Sequence, residues 1–220
     1  VLLGCSNPPP PEISILVAAN NGNLEAVKQH IAAGTDVNTK NNIGQTALFH
    51  ACLPFVHTDN PVEIVQLLIE NGADVNVKST GATGWTPIHQ ASQILRYEDD
   101  DTTAVDIIEL LIENGADVNG KDRIGSTPLH LAETIQIAKL LIAKGGDVNA
   151  TRANGDTPLH YAASDKEMTK VLIENGANVN AQDDDGSTPL DAAIDGDITE
   201  TADLLRKHGG KTSAELKARG

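Results

Sequence analysis

An all-α solenoid of about six helix-turn-helix units, joined by hairpin-like turns, is the fold this sequence predicts. Three observations carry it. A Thr-led start recurs at Thr46, Thr86, Thr127, Thr157 and Thr188, with spacings of 40, 41, 30 and 31 residues. A Val-Asn pair recurs at 37–38, 75–76, 118–119, 148–149 and 179–180. Between these marks lie short apolar runs at helical spacing. A unit of this size cannot bury its own apolar face, so neighbouring units must supply each other's core.

The stretch Thr127–Asn149 shows the unit most cleanly. Thr127 offers a hydroxyl to cap a helix. Pro128 takes the first helical position, where a missing N–H costs nothing. Leu129 and Ala132 face one way, and Ile137, Leu140 and Leu141 form the stripe of a second helix. Gly145 can adopt the left-handed conformation that closes it. Asp147-Val148-Asn149 then leads to the turn.

Three starts are nearly identical: TPIHQA at 86–91, TPLHLA at 127–132 and TPLHYA at 157–162. In this signature and period the chain resembles the ankyrin repeat, over about nine-tenths of its length. The resemblance implies a non-catalytic protein-binding surface and leaves the partner unnamed.

Residues 1–11 lie outside the repeats. Leu2-Leu3-Gly4-Cys5 resembles a bacterial lipobox, with Cys5 as the residue that would carry the lipid and Pro8–Pro11 as an extended tether. On that reading the sequence begins inside a secretory precursor and the protein is anchored, periplasmic side, in a bacterial envelope. The alternative is a Pro-rich linker on a cytoplasmic protein.

The ankyrin repeat domain, 12–220, divides at 12–44, 45–84, 85–125, 126–155, 156–186 and 187–220. The first unit lacks the Thr-Pro start and reads as a cap: helices at Ile13–Asn20 and Leu24–Ala33, with Leu24, Val27 and Ile31 buried and Gly34 as the stop. The second replaces TPLH by Thr46-Ala47-Leu48-Phe49, and its helix link at 53–60 is about five residues longer than the family's. Asp59-Asn60-Pro61 starts its second helix. The third has a link longer by about eight residues, at 92–103. There Gln93–Tyr97 extends the first helix, and Thr102 or Thr103 caps the second. The fourth and fifth have links shorter by about three and two residues, so a clipped helix end is expected. In the sixth, Asp191 replaces the signature histidine, and Thr212–Ala218 forms a short helix over the end of the stack.

Composition narrows the partners. The net charge is −15, which argues against nucleic acid, whose phosphates require Lys and Arg. It equally disfavours an anionic membrane surface, leaving a lipid on Cys5 as the sole membrane route. Another protein is the expected partner, of a monomeric chain. Cys5 and Cys52 are too few for a disulfide framework, and Cys52 reads as a buried, inert thiol. No apolar run within the chain is long enough to cross a bilayer.

The polar motifs read as structural. His89, His130 and His160 recur once per unit and would not converge on a metal; the resemblance makes them bonds between neighbouring turns. Asn38, Asn76, Asn119, Asn149 and Asn180 read as turn residues. Glu98–Asp101 and Asp183–Asp185 are solvated acidic loops before they are calcium sites. His50 and His57 lack the further ligands a zinc site needs. No nucleophile with its base and no phosphate loop is present, so neither catalysis nor a cofactor is expected.

What remains is surface. Carried over from the family, the concave positions are Val17, His50, Gln90, Leu131, Tyr161 and Ala192, and the hairpin tips are Ile43, Gln45, Trp85, Arg123, Ile124, Arg152 and Asp185. The protein-binding candidates are His50, Trp85, Gln90, Tyr97, Arg123, Leu131, Arg152 and Tyr161, since aromatic and Arg side chains dominate interface energetics. Trp85 could as well pack on the next hairpin. Phe49, Phe55, Trp85 and Tyr97 cluster in the units with long links, which form either a binding ridge or a packed pair of insertions. Two other readings remain: an effector secreted to act on a host protein, or a metal-binding accessory module of an enzyme system.

Overall fold

Threonines stand at the starts of the first helices of repeats two to six, at Thr46, Thr86, Thr127, Thr157 and Thr188. The computed structural model describes residues 9–53, 60–93 and 101–218. Among them are twelve α-helices, two short 3-10 turns and no strand. They fall into two compact units, Val1–Asp117 and Val118–Gly220.

The first unit holds α1 (Ile15–Asn20), α2 (Leu24–Ala32), α3 (Ala47–Ala51), α4 (Pro61–Glu70), α5 (Pro87–Ser92) and α6 (Thr102–Glu113). Successive helices pair as α1/α2, α3/α4 and α5/α6. The first members pack on one another, α1 on α3 and α3 on α5, and so do the second members, α2 on α4 and α4 on α6. Ile15, Leu48, Ile64, Leu68, Ile88, Ile108 and Leu111 fill the space between the two layers and are almost wholly buried. The second unit repeats the scheme. The 3-10 turn Pro128–Leu131 precedes α7 (Ile135–Ala143). Next come α8 (Pro158–Tyr161), running into the 3-10 turn Ala162–Ser164, and α9 (Lys166–Glu174). Then α10 (Pro189–Asp195) pairs with α11 (Thr199–Lys207), and α12 (Ser213–Lys217) closes the chain. Leu141, Leu159, Leu172, Leu190 and Leu205 form its core.

Several expectations shift at the helix ends. In α2 the fully buried residues are Ala26, Val27 and His30, with Leu24 and Ile31 half-buried. His30 is tolerated inside because both ring nitrogens are engaged, Nε2 with the Ile13 carbonyl at 2.6 Å and Nδ1 with Thr35 Oγ1 at 3.1 Å. Neither Thr102 nor Thr103 caps α6: Thr102 is its first residue and Asp101 precedes it without a side-chain cap bond. α5 ends at Ser92, with Gln93 already extended at ψ 90°. Of the expected extension, 94–97 lie outside the described residues. The clipped end expected in the fourth repeat takes the form of a single 3-10 turn, because Ala132 turns extended at ψ 110°.

The Val-Asn asparagines do more than shape their own turns. Asn149 Nδ2 donates to the Gly176 carbonyl at 3.0 Å, while its Oδ1 accepts the Asn178 N–H at 2.8 Å. Asn38 does the same to Gly72 and Asp74, and Asn76 to Gly115 and Asp117. Asn119 reaches Gly145 and Asp147, and Asn180 reaches Gly209 and Lys211. Each amide thus fastens two backbone groups of the following helix end, among them a carbonyl the helix leaves unpaired. Hairpin tips stack by backbone bonds as well: Asp184 N–H donates to the Asn154 carbonyl at 3.0 Å. Gly155 lies between them at φ +83°, with a Cβ there only 2.8 Å from Asp183 Cα, so the approach requires glycine.

Replacing Asn149 with Ala removes both bridging bonds, and we expect a loss of about 1–2 kcal/mol in urea unfolding of the full chain. Asn42→Ala, at an exposed tip, should leave the midpoint unchanged.

Candidate protein-binding surface

The signature histidines are helix caps first. His130 Nδ1 accepts the Thr127 N–H at 3.2 Å and lies 2.9 Å from Thr127 Oγ1. Accepting there places the ring proton on Nε2, which donates to the Asp156 carbonyl at 3.3 Å. His160 copies this with Thr157 and the Ser187 carbonyl, and His89 caps Thr86. Each imidazole therefore joins its own helix start to the next hairpin or its own N-cap, and none is spare for a metal. In the sixth repeat Asp191 substitutes by charge: Oδ2 accepts the Thr188 N–H and hydroxyl, and the Ser213 N–H at 2.8 Å, which fastens α12. Burial opposes its ionisation, but these bonds outweigh it and hold its carboxyl below the usual range.

On this frame Tyr161, at the end of α8, is 45% exposed. It is nevertheless held from three sides. Its hydroxyl donates to Asp156 Oδ2 at 3.0 Å. The Arg152 guanidinium lies over its ring, 4.9 Å from the centroid, a cation–π distance. The His130 ring meets it edge-on at 6.1 Å. Beside it opens a groove of about 290 Å³ lined by Asp156, His160, Tyr161, Asp183, Ala192 and Asp195. A partner side chain entering there meets one aromatic wall and several carboxylates.

The other candidates are placed as follows. In the second unit, Arg123 is exposed at its hairpin tip and Leu131 is half-buried next to His130. In the first unit, His50 is half-buried, edge-on to Phe49 at 6.3 Å, and burial lowers its affinity for a proton. Trp85 is half-buried, its carbonyl accepting the Ser79 N–H at 2.8 Å. Gln90 faces inward and is only 8% exposed, because all of α5 is buried; as it stands it offers no surface. Tyr97, Phe55, His57 and Cys5 lie outside the described residues, as do most of both long links. Cys52 is buried and unbonded, and burial pushes its thiol far up, away from the reactive thiolate. Asp183 Oδ1 is engaged by the Asp185 and Ser187 N–H groups. No cluster of metal-ligating side chains and no helix long and apolar enough to cross a membrane occurs among the described residues.

Of the residues singled out from sequence, the structure brings together Arg152 and Tyr161. It adds Asp156 and Asn154, which sequence reasoning missed: Asn154 Nδ2 donates to Asp156 Oδ2 at 2.8 Å, fixing the carboxylate that fixes Tyr161. A signal existed. Arg152 stands where the sister hairpins have Asn41, Asp122 and Asp183.

The His130 ring also carries a pH signature. Burial, opposed by the Asp156 carbonyl and reinforced by Arg152 and Lys121, pushes it down to about 4. The unfolded ring titrates at its ordinary value, so the folded state's advantage is complete above that value and shrinks as pH falls towards 4. Between pH 7 and 4.5 we expect His130→Gln to lose about 2 kcal/mol less stability than wild type, from urea midpoints at the two pH values.

Comparison with known proteins fits this architecture. Residues 15–122, 59–152 and 132–215 each match the family described as ankyrin repeats (3 copies). Over 74 residues, 34% of this chain, it is 35% identical to an Arabidopsis thaliana protein named "Putative E3 ubiquitin-protein ligase XBAT34". That stretch spans about a fifth of the relative's length, 19%. Repeated Thr-capped starts, paired helices and asparagine-bridged turns across the matched residues make the conclusion plain: the chain belongs to the ankyrin repeat family.

Proposed function

We propose that this chain is a non-catalytic protein-binding module, a scaffold, adaptor or inhibitor, and that it binds through the surface around Tyr161. The observation that supports this is an exposed aromatic ring already fixed by Asp156, Arg152 and His130 beside an open groove. A side chain fixed beforehand loses little rotamer freedom on binding, so its contacts go further towards affinity. Tyr and Arg are also the residues most often dominant at interfaces. In capture from a lysate of the source organism, with equal amounts of folded protein, Tyr161→Ala should recover its partner at least about tenfold less than wild type. Equal recovery would move the binding surface elsewhere.

We further propose that the protein is tethered to a bacterial envelope by a lipid on Cys5, a reading supported by Leu2-Leu3-Gly4-Cys5 and the four prolines behind it. Expressed with its own upstream sequence, the wild type should incorporate labelled fatty acid and partition into detergent. Cys5→Ala should do neither, and label on the variant would place the anchor elsewhere.

A further inference from the structure

Three hairpins share a device that the fourth repeat's following hairpin lacks. Asn41 Oδ1 accepts the Ile43 and Gln45 N–H groups at 3.0 and 2.9 Å. Asp122 Oδ1 accepts those of Ile124 and Ser126 at 3.0 and 2.7 Å. Asp183 does so for Asp185 and Ser187 at 3.0 and 2.7 Å. At the matching place stands Arg152, which has no acceptor to offer. Its turn closes on backbone alone, and the Asp156 N–H is left with Asn154 Oδ1 at 3.4 Å. The exchange thus gives up one side-chain turn bond and leaves the other long, at 3.4 Å.

The fold gives Arg152 little in return. Its side chain forms no hydrogen bond or ion pair among the described residues, and its Nε is buried without an acceptor. Asp156, four residues on, forms no ion pair with it; its Oδ2 is held by Tyr161 and Asn154. A guanidinium over a tyrosine ring, half-buried and unpaired in a chain of net charge −15, is a cation without its anion.

Resting on the protein-binding reading above, we propose that Arg152 and Tyr161 form an anchor for one carboxylate, an Asp or Glu side chain in a segment of the partner protein. The guanidinium fork matches a carboxylate in two parallel bonds. One cation fits one negative charge. A phosphate dianion would bring a second charge next to Asp156, Asp183 and Asp195, which line the adjoining groove. The groove beside Tyr161 leaves open space for the residues that flank that acidic side chain.

The test selects random displayed peptides against the full chain, then compares wild type, Arg152→Asn and Tyr161→Ala. Arg152→Asn installs the side chain that already makes this turn at Asn41. We expect it to unfold about 2–4 °C higher than wild type, yet to bind the selected peptides about tenfold more weakly. Those peptides should share one Asp or Glu. Changing it to the amide should weaken binding to wild type by a similar factor and leave binding to Arg152→Asn unaltered. Peptides that need Tyr161 but share no acidic residue would overturn the carboxylate and leave the binding surface standing. Tighter binding with phosphoserine at the shared position would do likewise. Peptides indifferent to both substitutions, or no selected peptide at all, would overturn both. A lower unfolding temperature for Arg152→Asn would show that the arginine serves the fold, and would also overturn the anchor.

Discussion

Everything in this molecule depends on how one repeat is fastened to the next, and the asparagine amide is the fastening that recurs most faithfully. A primary amide offers a donor and an acceptor a fixed distance apart. Asn38, Asn76, Asn119, Asn149 and Asn180 use both on the backbone of the following helix end. The glycine carbonyl each one reaches belongs to a residue in the left-handed conformation, at the point where the helix ladder has run out of partners. The amide therefore satisfies a group the helix cannot, and in doing so fixes the register of the stack. Apolar burial drives the layers together without direction; these bonds supply the direction.

The histidine caps act on the same joint from the hairpin side. Nδ1 defines the helix start at its own Thr, and in His130 and His160 the opposite ring nitrogen reaches the carbonyl of the next hairpin. Two of the departures from this pattern have visible reasons. Asp191 exchanges an imidazole for a carboxylate that holds the N-terminus of α12, which follows here in place of a hairpin. Phe49 gives up the imidazole half of the cap, fills the core instead at 2% exposure, and leaves the Thr46 hydroxyl to accept the Phe49 N–H at 3.4 Å. Arg152 is the departure whose structural return is limited to its place over the Tyr161 ring, and rule-breaking of that kind concentrates at functional sites.

A surface of this sort binds by being rigid. Its hairpin tips and first helices are set by stacked backbone bonds, so side chains such as Tyr161 are presented rather than recruited. That is consistent with protein–protein interaction, the role ankyrin repeats indicate, and it explains why so few aromatic residues suffice.

How much was legible follows from range. Thr-Pro starts, apolar stripes and left-handed glycines act within a few residues, so the sequence alone determined the repeat family, the helix pairs and the structural nature of the histidines. Boundaries slipped where the deciding partner was distant. His30 is buried because Ile13 and Thr35 complete it, and Gln90 is buried because all of α5 packs inward. The same holds for the binding surface. Sequence placed Arg152 and Tyr161 among exposed candidates, but only the tertiary structure set one ring beneath the other's charge, with Asp156 holding the hydroxyl. Residues nine apart meet there because a hairpin folds back on the helix it precedes, and such a meeting is decided by packing rather than by any local preference of the chain.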